Sequence, residues 1–397
     1  MSSASTMEYA DSTMEENPRP RLLPWARIAA AGLFLLTLVV PLFGAAMNWD
    51  PVASQENRIL ARPPGVPRTL KDFTHFSDVF LDYYRDHFGF RNTLIRALSL
   101  VRFKGGLSQD QNTNIIIGKD GWLFYPSNSP NVLADRNLDP FTSGELDQWQ
   151  HLLEQRNRFC QEHGIAFVAV IPPDKQSIYT EYLPPDLSLL GPKSRLDQIV
   201  ERLRQTHSPV RVIDLRPTLL EAKKYHRVYF KTDTHWNDYG GFAAYPVILN
   251  AVNEALPWAK LTPQPASDFI PRSTIHSGDL ARYLNLYYEY NEDWLQMIRR
   301  DPYPPIVTPD NPYTPVTTAG PNPNAPALYM MHDSFTLYLG QFLGPNFSRV
   351  CWRWTTVMYG NEILKFKPSV VIDEFLERTM YLPAPQDPSE VASATGP

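Results

Sequence analysis

Seven apolar residues in a row, Ile165 to Ile171, decide the architecture of this chain. A run that short, rich in β-branched residues, reads as a strand, and with no polar alternate it has to be covered on both faces. That is the condition of a strand inside a parallel sheet. A helix precedes it, from Thr142-Ser143 to about His163, with Leu146, Trp149, Leu152, Leu153 and Phe159 on one face and Gly164 as its stop. A second helix follows at Ser194–Gln205 and a second strand at Val210–Asp214. Helix, strand, helix, strand with short links is α/β architecture. Further along, Tyr239–Leu256 reads as helix, Ala327–Met331 as strand, Phe335–Phe342 as helix, and Val370–Asp373 as a buried strand leading to Glu374 and Arg378. Residues 301–326 hold nine prolines without periodicity and read as a long surface excursion. The residues from Pro383 onward are polar and read as a disordered tail. There is no internal repeat.

The N-terminal part obeys a different solvent. Arg19, Arg21 and Arg27 precede an uncharged run from Ile28 to Met47. As a helix such a run covers about 30 Å, the thickness of a bilayer core. Basic residues flank it only on its N-terminal side, which keeps that side in the cytoplasm and exports the chain beyond Asn48. A cleaved signal peptide is the rival reading, with Gly44-Ala45-Ala46 as a small-residue site, but the run exceeds a usual signal core. An uncleaved single-pass anchor fits better. The expected organisation is a disordered cytoplasmic tail (1–27), a transmembrane anchor (28–47), a membrane-proximal linker with helices (48–112), an α/β domain (113–382) and a disordered tail (383–397).

Within the linker, Phe73, Phe76, Phe80, Tyr83 and Tyr84 recur at helical spacing. Asp86-His87-Phe88-Gly89 interrupts the helix, and Leu94–Phe103 resumes it. His87 reads as a helix-end histidine satisfied by local carbonyls. Residues 114–125 carry two apolar runs around Lys119-Asp120-Gly121, a hairpin signal.

Formal net charge is −5 and the pI about 6.0, so nothing suggests a nucleic-acid surface. The two cysteines, Cys160 and Cys351, make no metal motif; they would pair in an oxidising compartment or serve as small buried hydrophobes. No His-Glu-x-x-His motif and no phosphate-binding glycine loop appears, so no metal or bound cofactor is expected.

The chemistry centres on Thr232-Asp233-Thr234-His235-Trp236-Asn237. In an extended segment, residues two apart point to one side, so Asp233 would orient His235 and balance its charge. The missing nucleophile is Ser334, at the turn from strand Ala327–Met331 into a helix, where helix amides could receive an oxyanion. The plainer alternatives are a helix N-cap for Ser334, and a core hydrogen bond or metal-ligand pair for Asp233 and His235. His332, two residues before Ser334, is a rival base but too constrained to swing onto it. In open α/β sheets ligands bind at the carboxyl ends of strands. Asp174 and Lys175 lie at such an end, as does Asp214. With Asn237 and Tyr338, Asp174 and Lys175 are the further candidates for oxyanion or substrate contacts.

Six segments in order resemble the alginate O-acetyltransferase family. They are Glu56-Asn57-Arg58 with Leu60-Ala61, Asp86-His87-Phe88-Gly89-Phe90-Arg91, Gly118-Lys119-Asp120-Gly121-Trp122-Leu123-Phe124, Pro173-Asp174-Lys175 with Tyr179 and Leu183-Pro184, Asp233-Thr234-His235-Trp236-Asn237, and His332-Asp333-Ser334-Phe335. The resemblance covers about residues 55 to 380. It implies an SGNH-hydrolase-like parallel sheet flanked by helices, with a triad of Ser334, His235 and Asp233. Ordinary SGNH hydrolases place the serine first and an Asp-x-x-His last, whereas here Asp-x-His precedes the serine. His332 stands where those hydrolases carry glycine. The implied reaction is acetyl transfer onto an exopolysaccharide in the periplasm, from the bacterial inner membrane, with a membrane-bound O-acyltransferase partner supplying the acetyl group. A polysaccharide acetylesterase of the same fold, or a non-catalytic component of a polysaccharide assembly and export complex, are the alternatives.

Overall fold

In a computed structural model, residues 24–47, 49, 61–105, 109–110, 115–126, 134–187, 191–284, 286, 288–304 and 314–392 are described. Of the tail expected at 1–27, residues 1–23 lie outside them and 24–27 are already helical, and the Glu56–Leu60 segment lies outside them. The chain divides into two compact units after Leu94.

The first unit holds a helix at Pro24–Ala46, close to the expected span. It is long and apolar enough to cross a membrane and lies almost wholly exposed. A second helix, Leu70–His87, starts on a capping box between Thr69 and Asp72. His87 Nδ1 lies 3.0 Å from the Tyr83 carbonyl, the local satisfaction expected of it. A further helix, Arg91–Lys104, spans the division.

In the second unit, β1 (Gln109–Asp110), β2 (Ile115–Ile117) and β3 (Leu123–Phe124) form a small antiparallel sheet. Its β2–β3 hairpin turns on Lys119–Gly121, with both Asp120 and Gly121 at positive φ. The main sheet has six strands. They are β4 (Ala166–Ile171), β5 (Val212–Asp214), β8 (Val316–Ala319), β9 (Ala327–His332), β10 (Arg349–Trp354) and β11 (Val370–Glu374), in the order β5-β4-β11-β9-β10-β8. Every neighbour is parallel except β8, which runs antiparallel at the edge. β8 corrects the reading of 301–326 as excursion throughout: Val316-Thr317-Thr318-Ala319 alternates enough to close that edge.

The strands bury both faces, with period two. Val168, Val170, Leu328, Met330, Val370 and Ile372 face one core with Ile248, Leu249 and Val252 of helix Asp238–Ala255. Phe167, Ala169, Ile171, Tyr329, Met331 and Val371 face the other, with Trp149, Leu153 and Phe159 of helix Ser143–Glu162 and Leu196, Ile199 and Leu203 of helix Arg195–Gln205. Each such side chain contributes about 1.5–3 kcal/mol by leaving water. Cys160 and Cys351 are both buried and free, so they serve as core hydrophobes and not as a disulfide.

Three further features depart from expectation. Residues 383–392 are packed instead of loose: Val391 is fully buried, and Asp387 holds the buried Arg156 at 2.7 Å. The segment after Ser334 is a five-residue 3-10 turn, Ser334–Tyr338, then a four-residue helix, Gly340–Leu343, and not one continuous helix. Finally, β6 (Phe269–His276) and β7 (Glu292–Arg299) pair as an antiparallel ribbon in a stretch where the sequence offers no strand signal.

Candidate active site

Asp233 and His235 do not sit on an extended strand. They lie in a tight loop closed by the Tyr229–Trp236 bridge and by Phe230 N donating to the His235 carbonyl at 3.2 Å. Their pairing comes from the loop itself. Asp233 Oδ1 accepts from His235 N at 3.0 Å, an Asx turn, and lies 2.6 Å from His235 Nδ1. On the far side of the imidazole, Nε2 is 2.8 Å from Ser334 Oγ. With the ring proton on Nδ1 facing the carboxylate, Nε2 is the acceptor for the serine hydroxyl. Ser334 and His235 are both partly exposed, so the pair opens to solvent.

The loop is held from several directions. Glu292 on β7 accepts from Lys231 N, Thr232 N and Thr232 Oγ1 at 2.7–2.8 Å. Asp279, opening a short helix at Asp279–Tyr283, accepts from Thr234 N and Thr234 Oγ1. Lys175 Nζ donates to the carbonyls of Phe230, Lys231 and Asp233. Trp236 Nε1 donates to the Phe335 carbonyl at 2.8 Å, tying the histidine loop to the serine turn. Gly241 adds a second tie, since a Cβ there would lie 2.1 Å from the Tyr338 carbonyl oxygen.

Asp233 is buried and its carboxylate is fully occupied. Oδ2 accepts from Asp279 N at 3.0 Å and lies 2.9 Å from Nε2 of a second histidine, His276 on β6. Burial alone would raise the Asp233 pKa. The hydrogen bonds from His235 and His276 outweigh it and hold the carboxyl well below its usual value. Burial raises Asp279 instead, and the neighbouring Asp233 charge adds to that. Ligand atoms of Asp233, His235 and Asp279 lie within 4.8 Å of one another, close enough for a metal ion. Both Asp233 oxygens and His235 Nδ1 are already engaged in the network above, which accounts for the cluster without one. His276 has no signal in the sequence: it is a lone histidine on a strand that is mostly exposed.

The other candidates divide. Asn237 caps helix Asp238–Ala255; its Oδ1 accepts from Gly240 N and its amide donates to the Arg227 carbonyl at 2.6 Å. That amide therefore holds backbone at the start of the helix. Asp174 is buried against Arg378 at 2.7 Å, and Lys175 is buried on its three carbonyls, its pKa lowered by burial to about 8. Lys175 supports the loop from within, and Asp174 is engaged with Arg378 and, through its amide, with Glu377. Asp214 pairs with its neighbour Arg216. Tyr338 does line the site, its ring 5.9 Å from that of His235. His332 is buried, with Nδ1 2.9 Å from the Asp333 carbonyl, and burial lowers its pKa to about 4. It cannot act as the base. The Phe335 amide is occupied by Asp333 Oδ1, so the expected run of free helix amides at the serine is interrupted at its second residue.

A parallel-rich sheet that carries a serine at the carboxyl end of one strand, with His and Asp on an adjoining loop, defines an SGNH hydrolase-like α/β domain. Residues 115–311, about half of the chain, match the family described as SGNH hydrolase-like domain, acetyltransferase AlgX, and the chain carries a domain of this AlgX/AlgJ-like kind. The probable alginate O-acetylase AlgJ of Pseudomonas aeruginosa is 27% identical over 187 residues, which is 45% of this chain and 43% of that protein. The chain thus matches less than half the length of that curated relative. Among solved structures, Bacillus cereus PatB1 with a sulfonyl adduct superposes with a TM-score of 0.50 at 16% identity, covering 67% of this chain and 97% of that one. A DHHW family protein from Eubacterium siraeum gives 0.51 at 12% identity, covering 71% and 95%. At such identities the superpositions speak for the fold.

Proposed function

We propose that the chain is an O-acetyltransferase that moves acetyl groups onto hydroxyls of an exopolysaccharide through an ester on Ser334. The observation that carries this is the unbroken relay from Ser334 Oγ through His235 to Asp233. As Oγ attacks the carbonyl of an acetyl donor, its proton passes to His235 Nε2. The donor's C–O bond breaks, and its alcohol leaves with that proton. A sugar hydroxyl then attacks the Ser334 ester, giving its proton to Nε2, and Oγ takes it back on leaving. Asp233 keeps the imidazole oriented and offsets its positive charge in both halves. No bound cofactor enters this sequence.

The alginate O-acetylase named among the relatives supports polysaccharide as the acceptor, and alginate is the first polymer to try. The helix Pro24–Ala46 supports a single-pass anchor in the bacterial inner membrane with the α/β domain in the periplasm. There it would receive acetyl groups from a membrane-bound O-acyltransferase.

The test is mass spectrometry of the protein incubated with an acetyl-ester donor. A gain of about 42 Da on Ser334, absent in His235→Ala, is the expected result. No adduct on a folded protein overturns the reading. Acetate release to water, with none transferred to added oligosaccharide, assigns an esterase instead.

A further inference from the structure

Beside the relay, a cleft of about 400 Å³ opens between the serine's own turn and the β6–β7 ribbon. Leu337, Tyr338 and Gln341, which follow Ser334, form one wall, and Trp294 and Gln296 of β7 form the other. Its size lies within the range of small-ligand sites. Tilted and edge-on rings link the lining of the cleft to the relay. Tyr338 lies 5.9 Å from His235 and 6.1 Å from Trp294, and Trp294 lies 5.5 Å from His276, which holds Asp233.

We infer that this cleft is the acceptor subsite of the transfer and takes a pyranose ring of a sugar polymer; this rests on the reading of Ser334 as acetyl carrier. A pyranose presents two apolar C–H faces and a rim of hydroxyls. Trp294 and Tyr338 supply aromatic surface for the faces. Gln296 and Gln341 supply amides that both donate and accept for the rim, and the buried Asp238, which accepts from Met297 N at 2.7 Å, orients the Gln341 amide at 3.4 Å. The Trp294 indole N–H is buried and has no acceptor among the described residues. That nitrogen is sealed from solvent, so Trp294 offers the cleft its ring rather than its N–H. The ribbon therefore does two jobs. Glu292 and His276, paired across the ribbon, hold the relay, and Trp294 and Gln296, two and four residues further along β7, face the acceptor.

The binding test uses Ser334→Ala, which cannot turn over, titrated by calorimetry with cellohexaose and, separately, with a mannuronate hexamer. Saturation of at least one, weakened about tenfold by an added Trp294→Ala change, is the expected result. Leu337 is exposed and tolerates substitution, so Leu337→Arg, which fills the mouth, should weaken the same titration by a similar factor. Neither sugar binding, or binding that both changes leave intact, overturns the inference. Because no ester forms in Ser334→Ala, this outcome is independent of the adduct measurement, and either idea can fail without the other.

Discussion

Asp233 accepts hydrogen bonds from two histidines, and only one of them reaches the serine. His276 acts through Asp233, and its contribution can be split into a donor and a ring. His276→Phe keeps the stack on Phe230, whose ring lies 4.0 Å away, and loses the N–H. It should slow acylation of Ser334 about ten- to a hundredfold, the worth of a hydrogen bond to a charged group. His276→Gln, which restores a donor, should recover most of that rate, whereas a merely space-filling role predicts the reverse order. A second residue-scale prediction concerns Glu374, at the end of β11. Burial, and then the Asp333 charge, raise its pKa well above the usual carboxyl value, so the fold favours its protonated form. The unfolded chain ionises it above that value, so folding takes up a proton and its contribution to stability falls as pH rises from 4.5. Glu374→Gln keeps an acceptor for Asp333 N and removes that dependence. Its melting temperature relative to the parent should be unchanged near pH 4 and higher by pH 8.

Among the elements, the decisive contact is between helix Asp238–Ala255 and the serine turn. Gly241→Ala places a Cβ against the Tyr338 backbone and should cost about 1–3 kcal/mol, with loss of Ser334 acylation in the protein that remains folded. Thermal melting and the adduct assay separate the two effects. The sheet shows which elements a sequence announces. β4, β9 and β11 are buried on both faces and read as apolar runs, so they were legible. β6 was not: Pro271 interrupts it, and most of its residues face solvent. β10 was silent because Arg349 and Arg353 break its apolar run. Ser334 was legible at a strand end, and Asp233 and His235 as a carboxylate and an imidazole two residues apart. Their geometry was not, because an Asx turn and a ribbon donor about forty residues on leave no periodic trace. Asn237, Asp174 and Lys175 share the motif's neighbourhood, but backbone carbonyls, a cap and an ion pair claim their polar atoms.

At the scale of the molecule, the C-terminal segment is structural. Arg156 is buried between Asp373 and Asp387. Truncation after Leu382 removes Asp387 and the buried Val391, leaving a half-compensated interior charge. It should cost about 3–5 kcal/mol, read from the urea midpoint. A truncation as stable as the full chain would restore the reading of these residues as tail.

β11 is the last strand in the chain and yet lies between β4 and β9. Synthesis delivers residues in order, so the histidine loop and the serine turn both precede the strand that joins their halves of the sheet. The 2.8 Å approach of Nε2 to Oγ therefore waits on the closing of the sheet by its most C-terminal described strand.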